Sequence, residues 1–104
     1  MSDLYTDEYM KAVSTFKAAV KEQDDAYQKF KLLVFDGKVF DKKIQELMAL
    51  SAACAIQCQY CIEAHSKKAK SYGATAQEIS TTIQIAAVIK AGATQTYGMK
   101  ALEE

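Results

Sequence analysis

Four side chains in the middle of this chain have the types and spacing to move electrons and protons together. They are Cys58 and Cys61, three residues apart, then His65 four residues further on, with Glu46 twelve residues upstream of the first cysteine. On a helix, positions i, i+3 and i+4 are neighbours, so one helical face would carry both sulfurs with the imidazole one turn beyond. A cysteine at or just before a helix N-terminus sees the positive end of the helix dipole, which favours thiolate over thiol and prepares it for nucleophilic attack. An imidazole one turn from Cys61 can take up a thiol proton or return it to a leaving thiolate.

Glu46 joins this group only if the chain folds back. On a straight helix it would lie about 18 Å from Cys58 and off its face. In an antiparallel pair with a turn near Gln57 it comes level with residues 65–68, where a carboxylate can orient the His65 ring or accept a proton through water. The same residues admit other readings. Cys58, Cys61 and His65 supply three zinc ligands where a structural site wants four. Without the cysteines, Glu46 and His65 remain an acid–base pair. A helical assembly module with no chemistry is the third alternative. Cys54, one turn before Cys58, reads as a small buried hydrophobe. Glu63 reads as surface, and Tyr60 as a wall of the site or simple packing. Lys67, Lys68 and Lys70 read as solvent-facing.

The elements that must position these groups are helical. There is no proline, the four glycines are Gly37, Gly73, Gly92 and Gly98, and no stretch alternates as a strand would. Thr6 caps a first helix running to about Gln23, with Met10, Val13, Phe16, Ala19 and Val20 as its apolar stripe. A second, from about Asp24, ends near Asp36–Gly37. Asp41 caps a third, with Ile44, Leu47, Met48, Ser51, Cys54 and Ala55 on one face.

From Val39 to Tyr72 no glycine or proline intervenes. One helix of that length would be about 50 Å long, too long for a domain with a radius of gyration near 13 Å, so a bend is expected at Ile56-Gln57-Cys58. A fourth helix from about Gln59 ends at Tyr72–Gly73. Thr75-Ala76-Gln77-Glu78 is a capping box opening a fifth, apolar nearly all round from Ile79 to Ile89, which suits a core or a subunit interface. Ala91-Gly92-Ala93 suits close backbone approach or a bend before the last segment, which runs to Leu102.

Composition narrows the function. At 104 residues the expectation is one domain, residues 1–104. Thirteen basic residues, all lysine, balance 13 acidic ones, so neither field nor guanidinium forks favour nucleic acid. No apolar run approaches the roughly 20 residues of a membrane span. The acidic, polar start MSDLYTDEYM lacks the features of a secretion signal, which points to the cytoplasm, where thiols stay reduced.

Glu46, Cys58-x-x-Cys61-x-x-x-His65, Gly73-Ala74-Thr75 and Glu78-Ile79 together resemble the carboxymuconolactone decarboxylase family, and within it the alkylhydroperoxidase AhpD-like branch. The resemblance covers about Phe40 to Ile89. It implies an all-α fold of about five to six helices with a central helical hairpin carrying the cysteine pair, assembled as a homo-oligomer, a trimer or hexamer. It implies a dithiol that cycles with a disulfide to reduce peroxides or disulfide partners, with Glu46 and His65 relaying protons. An external thiol reductant, thioredoxin-like or lipoyl-like, would restore the pair, and no cofactor or metal is expected. The family's lactone decarboxylases lack the cysteine pair. Tyr60 stands where AhpD carries a second histidine.

Overall fold

The computed structural model describes residues 3–104, and among them every regular element is helical. The elements are α1 (Asp7–Ala19), α2 (Lys21–Val34), α3 (Lys42–Ile56), α4 (Gln59–Ser71), α5 (Ala76–Gly98) and a short 3-10 turn, Met99–Leu102. The all-α expectation holds. The chain divides into two compact units, one ending at Lys38 and the other Val39–Glu104.

In the first unit Thr6 caps α1 as expected, its hydroxyl accepting the Tyr9 amide at 3.0 Å, with Asp7 and Glu8 in the first turn. The expected boundary between the first two helices is corrected. α1 stops at Ala19, not near Gln23, because Val20 leaves helical geometry (φ −126°, ψ 44°) and α2 begins at Lys21. The ladder of α2 then starts from the Val20 carbonyl, which accepts the Asp24 amide at 2.8 Å. Lys21 and Asp25, four apart, pair at 2.6 Å across the first turn, a contact that a helix starting at Asp24 would not have made. Gly37, with φ 78°, turns the chain after α2.

The second unit is a three-helix arrangement. Asp41 caps α3 through the Ile44 amide at 2.9 Å. The single 34-residue helix is avoided at the expected place: α3 ends at Ile56, and Gln57 adopts the left-handed conformation (φ 58°, ψ 44°). The Cys58 amide bonds back to the Ala53 carbonyl at 3.0 Å, and the Gln57 amide to Cys54 at 3.2 Å. Those two bonds are a Schellman helix stop, with glutamine where glycine is usual. α4 ends by the same device with glycine in place: Gly73 has φ 90°, Ala74 bonds back to Ala69 at 2.9 Å and Gly73 to Lys70 at 3.0 Å.

α5 opens on the expected capping box. The Thr75 hydroxyl accepts the Glu78 amide at 3.1 Å, and the Glu78 carboxylate accepts the Thr75 amide at 2.9 Å. The other oxygen of Glu78 accepts from Lys43, in the first turn of α3, at 2.8 Å. Twelve residues on, Lys90 of α5 donates to the Ala55 carbonyl in the last turn of α3 at 3.0 Å. Both links join residues 35 apart, so α3 and α5 run parallel in one register, clamped at two points about 18 Å apart along the axis.

Two expectations about faces are corrected here. The buried face of α3 is Gln45, Glu46, Leu50 and Ala53, whereas Ile44 and Met48 of the expected stripe are exposed. Positions 44 and 46 differ by about 200° around a helix, so the apolar stripe points away from the side packed on α4 and α5. α5 is unbroken through Ala91-Gly92-Ala93, and a Cβ on Gly92 would meet nothing within 4 Å, so no backbone of this chain approaches closely there. Of α5, only Thr82 and Ala86 are buried, while Ile83, Ile85, Val88 and Ile89 stay exposed. Leu50, at 1 % exposure, is the one large side chain fully enclosed among the described residues.

Candidate active site

The turn between α3 and α4 puts Cys58 at the head of α4. It is the N-cap residue, in extended conformation, and its Sγ accepts the Cys61 amide at 3.2 Å. A sulfur is doing there what a serine or aspartate oxygen does at other helix starts, and it receives the positive end of the dipole with that bond. Cys58 and Cys61 are joined as a disulfide, with Cα atoms 5.3 Å apart, and both are partly accessible rather than sealed. No backbone rearrangement is therefore needed to close the pair. His65 follows Cys61 one turn along α4, about 5–6 Å away by helix geometry.

The fold-back brings Glu46 to His65. Glu46 Oε1 lies 2.7 Å from His65 Nδ1, linking α3 to α4 across nineteen residues of sequence. The glutamate side chain is only 6 % exposed, and the histidine 22 %. A carboxylate so enclosed requires a strong partner, and the short bond to the ring provides one. Fixing Nδ1 also fixes the orientation of the ring, and assigns proton exchange on its other edge to Nε2. The four residues expected to form the site thus come together from two helices: the sulfurs and the imidazole from α4, the carboxylate from α3.

The neighbours differ from expectation in two respects. Glu63 is half-buried rather than fully on the surface: its Oε2 is enclosed without a hydrogen-bond partner, and Lys67 lies 3.9 Å from Oε1. Cys54 is a free cysteine of intermediate exposure, one turn before the stop of α3, rather than an enclosed hydrophobe. Tyr60, between the cysteines, is 37 % exposed. Among the described residues no three His, Cys, Asp or Glu side chains converge as a metal site. The left-handed conformation of Gln57, at the expected bend, and the reach of Lys90 to Ala55 were not legible in the sequence. Glutamine carries no preference for that conformation, and nothing in the local sequence marks a lysine 35 residues from the carbonyl it caps.

The sequence model of the carboxymuconolactone decarboxylase family matches residues 21–104. The chain belongs to that family. It is 34 % identical over 102 residues to "uncharacterized protein 4 in cox locus" of Paracoccus denitrificans, covering 98 % of this chain and 92 % of that one. It is 32 % identical over 77 residues to the alkyl hydroperoxide reductase AhpD of Rhizorhabdus wittichii, covering 74 % of this chain but 44 % of the reductase. The crystal structure of a carboxymuconolactone decarboxylase family protein from Legionella pneumophila, in its apo form, superposes with a TM-score of 0.74 at 27 % identity, over 93 % of this chain and 87 % of that one. Carboxymuconolactone decarboxylase family membership accounts for the all-helical fold, and the AhpD-like resemblance read from the cysteine, histidine and glutamate spacing is supported by the reductase match. No helix among the described residues is long and apolar enough to cross a membrane.

Proposed function

We propose that this protein is a thiol–disulfide oxidoreductase that reduces peroxides or disulfides with the Cys58–Cys61 pair, using Glu46 and His65 as its proton relay. The observation that carries the reading is the bonded cysteine pair at the head of α4, one turn from an imidazole held by an enclosed carboxylate. In the peroxide reaction a thiolate sulfur attacks one peroxide oxygen and the O–O bond breaks. The alkoxide that leaves takes a proton from His65 and departs as an alcohol, and the sulfur becomes a sulfenic acid. The second thiol loses its proton to His65, attacks the sulfenic sulfur and expels hydroxide, which is protonated to water as the Cys58–Cys61 bond closes. The net change is one hydroperoxide and two thiols to one alcohol, one water and one disulfide. An external dithiol, thioredoxin-like or lipoyl-like, then supplies two electrons and two protons by exchange. Cys58 takes the helix end and Cys61 the imidazole, so attack and resolution are divided between them.

A cytoplasmic location fits this cycle, since the thiol pool there would return the pair to the dithiol. The exposed apolar side chains of α3 and α5, Ile44, Met48, Ile85, Val88 and Ile89, fit a second copy of this chain, and we propose a homo-oligomer of trimer or hexamer size. A lactone decarboxylation reading also has support, from the family's own name and from the Glu46–His65 pair, which needs no sulfur to exchange protons.

The deciding experiment is turnover of an organic hydroperoxide with a dithiol reductant in three variants. Cys58→Ser and Cys61→Ser should each abolish it, and Cys54→Ser should leave it intact. Full turnover in either of the first two, or lactone turnover insensitive to thiol alkylation, would overturn the redox reading.

A further inference from the structure

Cys58 stands between two helix ends of opposite sign. Ahead of it is the N-terminus of α4, which favours a thiolate; behind it is the C-terminus of α3, whose carbonyls disfavour one. The backbone amide of Cys58 is bonded to one of those carbonyls, that of Ala53, so the α3 end lies directly against this residue. Of the last four carbonyls of α3, Ala53 and Cys54 accept the Cys58 and Gln57 amides. A third, Ala55, accepts from the Lys90 ammonium at 3.0 Å. That donor is a full positive charge brought from α5. The parallel register that pairs Lys43 with Glu78 also sets residue 90 opposite residue 55.

We propose that Lys90 is a positioning residue for the sulfur chemistry: by capping α3 at Ala55 it cancels the negative helix end behind Cys58 and so favours the Cys58 thiolate. The inference rests on the dithiol reading above and deepens it. Ala55 and Cys58 are three residues apart, so their Cα atoms lie at most about 11 Å apart. The ammonium sits 3.0 Å from the Ala55 carbonyl and acts on the sulfur through the helix end it neutralises, so added salt should weaken its effect. The other titratable groups near the pair along the two flanking helices are the Cys54 thiol on α3 and Tyr60, Glu63, His65 and Lys67 on α4, with Glu46 reaching His65 from α3 and Lys67 lying 3.9 Å from Glu63. Glu46 and His65 are committed to one another at 2.7 Å, which leaves Lys90 as the cation contributed from α5. A thiolate favoured in this way stabilises the dithiol form, makes the disulfide easier to reduce, and raises the reduction potential of the pair.

The test compares Lys90→Met, Lys90→Gln and Lys90→Arg. In a Cys54→Ser, Cys61→Ser background Cys58 is the single thiol, and the pH dependence of its alkylation rate reads its pKa. Lys90→Met should raise that pKa by about 0.2–0.7 unit, the range expected for a charge at a helix end. Lys90→Gln keeps a hydrogen-bond donor but no charge and should behave like Lys90→Met, whereas Lys90→Arg should restore the wild-type value. With both cysteines present, equilibration against glutathione should show the dithiol disfavoured by about two- to fivefold in Lys90→Met, and the change should shrink at high salt. An unchanged pKa in Lys90→Met overturns the proposal, as does a wild-type value in Lys90→Gln, which would make the contact a neutral helix cap. A wild-type pair with no reversible dithiol–disulfide couple would instead sink the function proposed above, and the single-thiol titration would still decide the role of Lys90.

Discussion

Replacing Glu46 separates the two things its carboxylate does: it satisfies a ring nitrogen in a partly enclosed position, and it places a negative charge beside that ring. Glu46→Gln preserves a carbonyl oxygen at the position of Oε1, 2.7 Å from His65 Nδ1, but removes the charge. Glu46→Ala removes both. A hydrogen bond to a charged group contributes about 1.5–3 kcal/mol. At 1.36 kcal/mol per tenfold in rate, full loss of that interaction in the transition state would slow turnover roughly 10- to 150-fold. His65 is 22 % exposed, so water screens part of the effect, and the lower end of that range, about 10- to 30-fold, is expected for Glu46→Ala. Glu46→Gln, which loses the charge and keeps the contact, should slow turnover about three- to tenfold.

Stability should divide the variants differently. Glu46→Ala leaves the ring nitrogen without its partner at a site closed on the α3 side and should cost about 1–3 kcal/mol in urea unfolding, while Glu46→Gln should cost less than about 1 kcal/mol. Hydroperoxide turnover and unfolding, measured on the same preparations, give both readouts. Wild-type turnover in Glu46→Gln would refute a role for the charge. Equal stability losses in the two variants would refute the reasoning that the contact itself is retained.

The two helix stops make opposite predictions. Gln57 holds φ 58°, a conformation that costs a side-chain-bearing residue about 1–2 kcal/mol, so Gln57→Gly should stabilise by about 0.5–1 kcal/mol once glycine's extra unfolded freedom is subtracted. Gly73→Ala should destabilise by about 1 kcal/mol although a Cβ there meets nothing within 4 Å, because φ 90° is the obstacle and not space; no change in the thermal midpoint of either variant would count against both. The Lys43–Glu78 link should give the folded chain a working pH window. The hydrogen bond from Lys43, followed by that from the Thr75 amide, holds the Glu78 carboxyl below its ordinary 4.5, and the bond to Glu78 raises Lys43 above 10.5. The Glu78 contribution is complete above pH 4.5 and is lost as pH falls through the lowered folded value; that of Lys43 is complete below 10.5 and is lost as pH rises through the raised one. Glu78→Gln should therefore flatten the acid side of the stability profile, read as unfolding midpoint between pH 7 and 3, and an unaltered slope would show that the link is not a titrating contributor.

What could be read from the chain alone was whatever short-range bonding determines. Thr6, Asp41 and Thr75 cap amides three residues away, Cys58, Cys61 and His65 sit within two turns of one helix, and a 34-residue run without a breaker had to bend near Gln57 for length alone. The caps and the cysteine–histidine spacing depend on atoms separated by three to seven residues and the bend on chain length alone, so residue type and spacing suffice. The end of α1 was misjudged for a related reason: Val20 continues an apolar stripe, and periodicity does not register a single residue leaving helical geometry.

Only the tertiary arrangement decided which face of α3 turned inward. Hydrophobic periodicity pointed to Ile44 and Met48, yet packing against α4 and α5 buried Gln45 and Glu46 together with Leu50 and Ala53. A buried carboxylate carries no apolar signature; it is enclosed because His65 arrives from another helix to bond it, and sequence spacing fixes no distance between helices. The same holds for the enclosure of one Glu63 carboxylate oxygen and for the Lys43–Glu78 and Lys90–Ala55 links. Each depends on how three helices settle in register, a property of the packed interface rather than of any one segment. The sulfur pair and its imidazole were thus written locally, while the carboxylate that holds the ring and the lysine that caps α3 behind Cys58 were set by the fold.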